Sequence, residues 1–420
     1  MGVLRFLYRV FSSYALAATV LVLLTVITLF GTLDQTQIGL WGAKQKYFYP
    51  WFVWQEIGPI RLPIFPGGML LMGILFINMS IGALVHVKKR WQGIPMLIAH
   101  FGILFLLVSG FVTHLKTRDG YIAIYPGQVS NRAESYREWQ IEVLELGEND
   151  EPNRAHVVPW EAINGIGENG SRTIRSENLP FTLEVSRFLR NARPIPASAP
   201  MAADAEGEAI DGYKLFKMKR IYSQEEANVP ACYVEIQPKG EGEDKKVILS
   251  GVSHLIDPRD ESLAHTFEMS GKRWGLRLVK KSWQIGFHIR LDRFIFEKHP
   301  GTTKAKNFES RITRLDSHDA EDGPRVAVRM NEPMRHDGWV VFQERYGTSD
   351  TGPDPEYYSQ FAISDNPADH WPLYSLYVIT AGLLLHLILK LVLGLVRAGN
   401  RARRKSGTKG ETDAPPIPQS

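Results

Sequence analysis

The chain has 420 residues, 44% of them hydrophobic and 22% charged, with a net charge of +4 and a single cysteine. Its apolar residues gather into long runs with almost no charge, which excludes a wholly water-soluble protein, and one cysteine excludes an internal disulfide or a C-x-x-C redox pair. Lys116 to Trp371 holds 34 Lys and Arg against 41 Asp and Glu, a charge of −7, and the remainder holds 15 against 4, or +11, so the positive charge flanks the apolar runs and does not describe a nucleic-acid surface.

The first run, Tyr14 to Gly31, carries no charge. It exceeds the roughly 7–15 apolar residues of a signal peptide and no small-x-small cleavage site follows, so it reads as a retained anchor. Met69 to Val87, Pro95 to Leu115 and Pro372 to Val396 are also longer than the roughly 17 residues a crossing needs. Hydrocarbon offers no water to backbone amides and carbonyls, so each run is predicted to be a helix. The expected fold is an integral membrane α-helical protein with four transmembrane helices and one large extracytoplasmic β-rich domain. Its divisions are 1–115, 116–371, 372–396 and a basic, disordered tail at 397–420.

Lys and Arg resist translocation, so the groups Arg5 and Arg9, then Lys88, Lys89 and Arg90, then Arg397 to Lys409 belong in the cytoplasm. Both termini are then cytoplasmic in an inner membrane. A loop of about 35 residues and the stretch from Lys116 to Trp371 face outward.

That stretch alternates like half-buried strands at Trp139–Leu146, Phe181–Val185, Cys232–Ile236 and Phe287–Asp292. Turn chemistry separates the strands at 148–153, at Lys239–Gly242 and at Asp337-Gly338. Between Ile195 and Ile210 the chain is Pro- and Ala-rich and acidic, and a flexible loop is expected there. Pro180–Phe188 echoes Gly286–Phe294, as two β-lobes with related strands would.

Chemistry is sought first within the membrane, where an ionisable side chain is costly. His100 lies inside the third run, roughly 8 Å from its cytoplasmic end, and His386 inside the fourth, roughly 15 Å from its own. Two readings stand for both: a neutral imidazole bonded to a neighbouring helix, or an axial ligand of haem iron. His86, His114 and His370 sit at run ends and read as boundary residues. His156, His254, His265, His288, His299, His318 and His336 are scattered without metal-ligand spacing. Ser253-His254 with Asp257 reads as a solvated turn, and the chain has no G-x-G-x-x-G after a strand, P-loop, H-E-x-x-H or G-x-S-x-G.

The run ending in Gly31-Thr32-Leu33-Asp34-Gln35, Asn78 ahead of a basic loop, His100-Phe101-Gly102 with Gly110, and Gly120-Tyr121 through Pro126-Gly127 occur in the order seen in one family. The most specific stretch is Met330 to Gln343, with Asn331, Pro333, Gly338 and Gln343 as its landmarks. Along nearly all its length except the tail, the chain resembles the ResB family, the CcsB-type component of System II cytochrome c biogenesis. That resemblance implies a non-autonomous subunit of a holocytochrome c synthase complex. With a CcsA/ResC-type membrane partner it would move haem b transiently across the membrane and present it to apocytochrome c. A separate thiol-reducing partner would keep the C-x-x-C-H cysteines reduced. The resemblance points to His100 as the haem ligand; His386 remains a candidate from the residues alone. Two other classes are carried beside it: a b-type electron-transfer subunit, and a membrane scaffold with an outer binding module.

Overall fold

In the computed structural model, which describes residues 2–58, 60–85, 91–147, 151–252, 264–301, 305–348 and 357–410, contacts divide the chain into two units. A helical unit comprises Met1–Thr36, Leu40–Thr117 and Asn366–Ser420, and a β-rich unit comprises Gln37–Gly39 and Arg118–Asp365.

The helical unit begins with α1 (Gly2–Phe11), whose residues are all outside the core. Ser13 then starts α2 (Tyr14–Ala43): its hydroxyl accepts from the amides of Ala15 and Leu16, filling two of the donors that a helix start leaves open. Along α2 the hydroxyls of Thr25, Thr28 and Thr32 donate to the carbonyls one turn back, at 2.9, 2.7 and 2.8 Å. Polar side chains are thereby satisfied without leaving the helix. The helix outruns the uncharged segment because Thr32 to Ile38 contains no breaker; Gly39, at φ 69°, bends it.

After a wide π-helical turn at Lys44–Phe48, a hairpin of β1 (Phe52–Ile57) and β2 (Ile60–Pro66) leads into α3 (Gly68–Met79). Helix α4 (Ile94–Lys116) and α5 (Trp371–Gly410) complete the unit. Three helices, Tyr14–Phe48, Trp91–Lys116 and Trp371–Arg401, are long and apolar enough to cross a membrane, and Gly68–Gly82 is a shorter apolar helix. The basic segment 86–90, His86 included, lies outside the described residues, as does His254. The tail expected to be disordered continues α5 as helix to Gly410, in keeping with the Ala, Arg and Lys that dominate its first turns.

Helices α4 and α5 meet through small residues. A Cβ on Gly102 would lie 2.7 Å from a side-chain carbon of Ile379, and one on Gly382 would lie 2.6 Å from the amide nitrogen of Ala99. In a membrane, where apolar lipid removes the hydrophobic drive for helix association, such close backbone approach supplies the dispersion contacts instead.

The β-rich unit contains β3 (Arg118–Ile124), β4 (Val129–Leu146), β5 (Pro152–Val158), β6 (Ser171–Ile174), β7 (Phe181–Leu189), β8 (Ala192–Pro196), β9 (Tyr213–Lys217), β10 (Ala231–Pro238) and β11 (Lys245–Ser250). There follow β12 (His265–Met269), β13 (Lys272–Lys298), β14 (Ala305–Leu315), β15 (Arg325–Arg329), β16 (Met334–His336), β17 (Trp339–Thr348) and β18 (Tyr357–Asp365). The large sheet runs β15-β14-β13-β4-β3-β18-β17-β16, with β12 on β13 and β5 on β4; a second sheet runs β11-β10-β7-β6, and β8 pairs with β9. Every pairing is antiparallel, and all four alternating segments read from the sequence fall in strands.

The two largest hydrophobic clusters of this unit, among the described residues, form its main cores. Ile141, Val143, Phe181, Leu183, Val234 and Trp274 belong to one, and Ile122, Phe287, Ile289, Leu291, Val341 and Phe361 to the other. The long strands β4 and β13 contribute to both. The echoed segments each place their alternate residues, Phe181, Leu183 and Val185 or Phe287, Ile289 and Leu291, at 1% exposure or less, one set in each core. The Pro- and Ala-rich segment is partly packed: Ile195, Ala202 and Ala205 are buried, since side chains this small fit under a loop. Between β4 and β13, Glu142 and Arg277 sit directly opposite and pair at 2.7 Å, with 9% of each side chain exposed.

Substituting Gly102→Leu forces α4 and α5 apart. Overpacking of this kind costs about 1–3 kcal/mol. The thermal midpoint of the full-length protein in detergent is expected to fall relative to Gly110→Leu, where no neighbouring atom lies within 4 Å.

Candidate functional site

Pro95 occupies the first turn of α4, where its missing amide proton costs nothing. One turn on, His100 Nδ1 lies 2.7 Å from the carbonyl oxygen of Met96. A carbonyl only accepts, so Nδ1 carries the proton and Nε2 keeps its lone pair. This is the tautomer that a metal ligand needs, held by the same kind of backbone contact that orients ligating imidazoles. Ala99 and Gly102 turn toward α5; His100, about 100° around the helix from Ala99, stands on the flank of that contact and is partly exposed.

His386 belongs to α5. It follows Ser375, Ile379 and Gly382 at spacings of four, three and four residues, which places it on the stripe that faces α4. Its Nδ1 is buried and has no hydrogen-bond partner among the described residues. Because Gly382 is opposite Pro95 and Ala99, His386 is displaced from His100 by about seven residues, or about 10 Å, along the antiparallel pair. The two imidazoles thus lie on packed helices at different depths. Among the described residues no group of three or more His, Cys, Asp and Glu is placed to hold a metal ion.

The boundary histidines behave differently. His114 lies against the ring of Tyr49, with centroids 4.3 Å apart, and His370 is 3.9 Å from Asp369 and beside Tyr374. In the β-rich unit His336 contacts Arg314, His288 faces the ring of His318 and His156 that of Trp274, so these residues are dispersed over separate surfaces.

Two polar clusters escaped the sequence reading. Asp34 accepts from Lys46 Nζ at 2.6 Å and from the Tyr47 hydroxyl at 2.8 Å, tying the turn after α2 back onto the helix. Its signal was a carboxylate just past an uncharged run. The other cluster surrounds Lys280 on β13, whose Nζ donates to the Tyr136 carbonyl at 3.1 Å and lies 5.2 and 5.5 Å from the ring centres of Tyr121 and Trp139. Tyr121 donates to Glu134 and Tyr136 to Glu344, at 2.9 and 2.8 Å. Burial, reinforced by those carboxylates, pushes both phenols well above their ordinary range. Burial lowers the Lys280 ammonium to about 8. No local pattern announces this cluster, because its members come from four strands.

Cys232, in β10, is wholly buried and its thiol is pushed up to about 12, so it is no nucleophile. Thiol chemistry has no other residue to draw on.

The stretch from Met330 to Gln343 forms a tight hairpin. Met334 pairs with Val341 and His336 with Trp339, while Asp337 and Gly338, at φ 49° and 79°, make the two-residue turn that needs left-handed backbone. Gln343 is buried; its amide donates to Ser359 Oγ at 2.8 Å and to the Arg345 carbonyl at 3.2 Å, and its oxygen accepts from Ser310. These bonds join β14, β17 and β18 across the second core. A model of the ResB-like family matches residues 260–355, which include this hairpin and all of β13. No curated protein matches the chain.

Lys280 sets a pH dependence. Below pH 8 it is charged in the folded and unfolded chain alike; between about 8 and 10.5 the unfolded chain binds the extra proton, so stability rises with pH through that window. Thermal unfolding of the full-length protein at pH 8 and pH 10 is expected to show this rise, and Lys280→Met is expected to remove it.

Proposed function

Since residues 260–355 match the ResB-like family, which is associated with cytochrome c biogenesis, we propose that the chain is a member of that family that helps carry haem across the membrane and present it to apocytochrome c, acting with a CcsA/ResC-type partner. The observation that carries this reading is the His100 imidazole. Its proton is engaged by the Met96 carbonyl, its Nε2 lone pair is free of it, and the ring is partly exposed on the flank of the α4–α5 pair. A histidine serving only to join α4 to a neighbouring helix would spend a nitrogen on that neighbour; here the bond is within its own helix.

Haem has a broad apolar face and two anionic propionates, so bare passage through lipid would strand charge in hydrocarbon. An imidazole in the membrane holds the iron, and apolar side chains cover the ring, while partner groups receive the propionates. His100 presents Nε2 to the iron in this scheme, and His386, with its unpartnered Nδ1, is the residue of this chain suited to a second hold at a different depth. The single buried thiol leaves reduction of the apocytochrome cysteines to another protein.

The topology we propose has four crossings, both termini in the cytoplasm and the β-rich unit outside. Support for the short α3 as a crossing comes from its two ends. Gly68 packs against the backbone of Phe48, whose ring covers Gly31 of α2, and Asn78 donates to the carbonyls of Phe11 and Ser13 before the opposite end of α2. The helix therefore runs from the level of Gly31 toward the start of α2.

The test is spectroscopic. The chain copurified with its partner from native membranes is expected to show a Soret band, which His100→Ala reduces several-fold while added imidazole restores it. Haem content and cytochrome c maturation both unchanged in that variant would overturn the assignment. Stoichiometric haem on the chain purified without any partner would instead favour a b-type electron-transfer subunit.

A further inference from the structure

Between α2 and α3 lies a hairpin that the sequence pattern does not advertise and the haem pathway does not use. Its root is fixed. Gly67 donates its amide to the Trp51 carbonyl at 2.8 Å, Val53 is buried at 1% exposure, and Phe65 and Phe48 pack with the apolar cluster of Val20, Ile27, Leu71 and Leu75. Beyond the root its strands leave the cluster, and Ile60, Leu62 and Ile64 are 58, 45 and 55% exposed.

These three follow at period two along β2, so they share a face. Arg61, between them, turns to the other face, where it pairs in register with Glu56 and lies 5.3 Å from the centre of the Trp54 ring. The hairpin is thus amphipathic across its thickness, uncharged and aliphatic but for Gln55 on one side and aromatic-charged on the other. Glu56 and Arg61 cancel, leaving it without net charge.

Its depth follows from α2. From Tyr14 the helix carries no charged residue until Asp34, 20 positions on, a length of about 30 Å at 1.5 Å per residue and so about one hydrocarbon thickness. Asp34 is held by Lys46 and Tyr47, and Phe48 covers Gly31. The hairpin therefore departs from the chain at the level where α2 meets the membrane–water boundary, and it returns to the same level at Gly68, against the Phe48 backbone.

We propose that this hairpin is an interfacial paddle: the face of Ile60, Leu62 and Ile64 inserts into the boundary between acyl chains and headgroups of the surrounding bilayer. Trp54 and Arg61 stay at headgroup level. Continuity with the membrane helices at both ends places lipid within its reach. An uncharged, aliphatic face with aromatic neighbours has the composition of the membrane interface, not of a salt-dependent contact with anionic headgroups.

The experiment uses the full-length protein in nanodiscs of phosphatidylcholine, a lipid without net charge. Single cysteines replace Ile60, Arg61, Leu62 or Ile64, each labelled with an environment-sensitive fluorophore. Native Cys232 is buried and stays unlabelled, which the parent protein verifies. Labels at 60, 62 and 64 are expected to emit to the blue and to be quenched by lipids bearing a nitroxide high in the acyl chain, whereas the label at 61 is not. Four labels reporting water would overturn the proposal. So would protection of 60, 62 and 64 that develops only when a partner membrane protein is copurified, since the face would then be a protein interface.

Discussion

Hydrocarbon cannot hydrogen-bond, and the helical unit is organised around that constraint. Ser13 fills the open amides at the start of α2, the threonines turn their hydroxyls back on the helix, and Asn78 donates to the Phe11 and Ser13 carbonyls. The same demand selects the His100 tautomer. Its proton goes to the Met96 carbonyl because a carbonyl within its own helix is at hand, and the consequence is a basic nitrogen directed away from that bond. A device that removes a polar liability thereby leaves the other ring nitrogen outside that bond.

Glycine controls how the helices carrying the two membrane histidines meet. At Gly102 and Gly382 the backbones of α4 and α5 come within the reach of a single methyl group. That contact fixes their register, and the register separates His100 from His386 in depth. The two imidazoles of this helix pair therefore stand at different levels and not side by side.

The β-rich unit solves a different problem. Two cores share β4 and β13, so these strands couple both halves through their backbone ladder and through buried polar pairs such as Glu142 with Arg277. Around the family-matched hairpin, Gln343 bonds to Ser310 and Ser359, which also bond each other, and a hydrophobic residue in its place would leave one of those hydroxyl protons without an acceptor. Its presence in the motif from Met330 to Gln343 is then a matter of joining three strands.

Apolar length alone was enough to mark three helices long enough to cross a membrane and a shorter apolar one, because a run of that length has few other fates. Alternation marked the strands for a similar reason: period two is local, and one buried face imposes it. His100 was legible as a costly side chain in such a run, and even its partner four residues earlier is a neighbour along the helix. The Lys280 cluster, the seat of Phe48 over Gly31 and the exposed face of the hairpin were not, since each depends on segments distant in the chain being brought together. By itself the sequence determined where the long apolar helices and the alternating strands form and which residues are expensive to bury. Only the tertiary structure decided which nitrogen is left free, how far apart the two histidines stand and which apolar face finds no partner, because those follow from packing register, which no local pattern encodes.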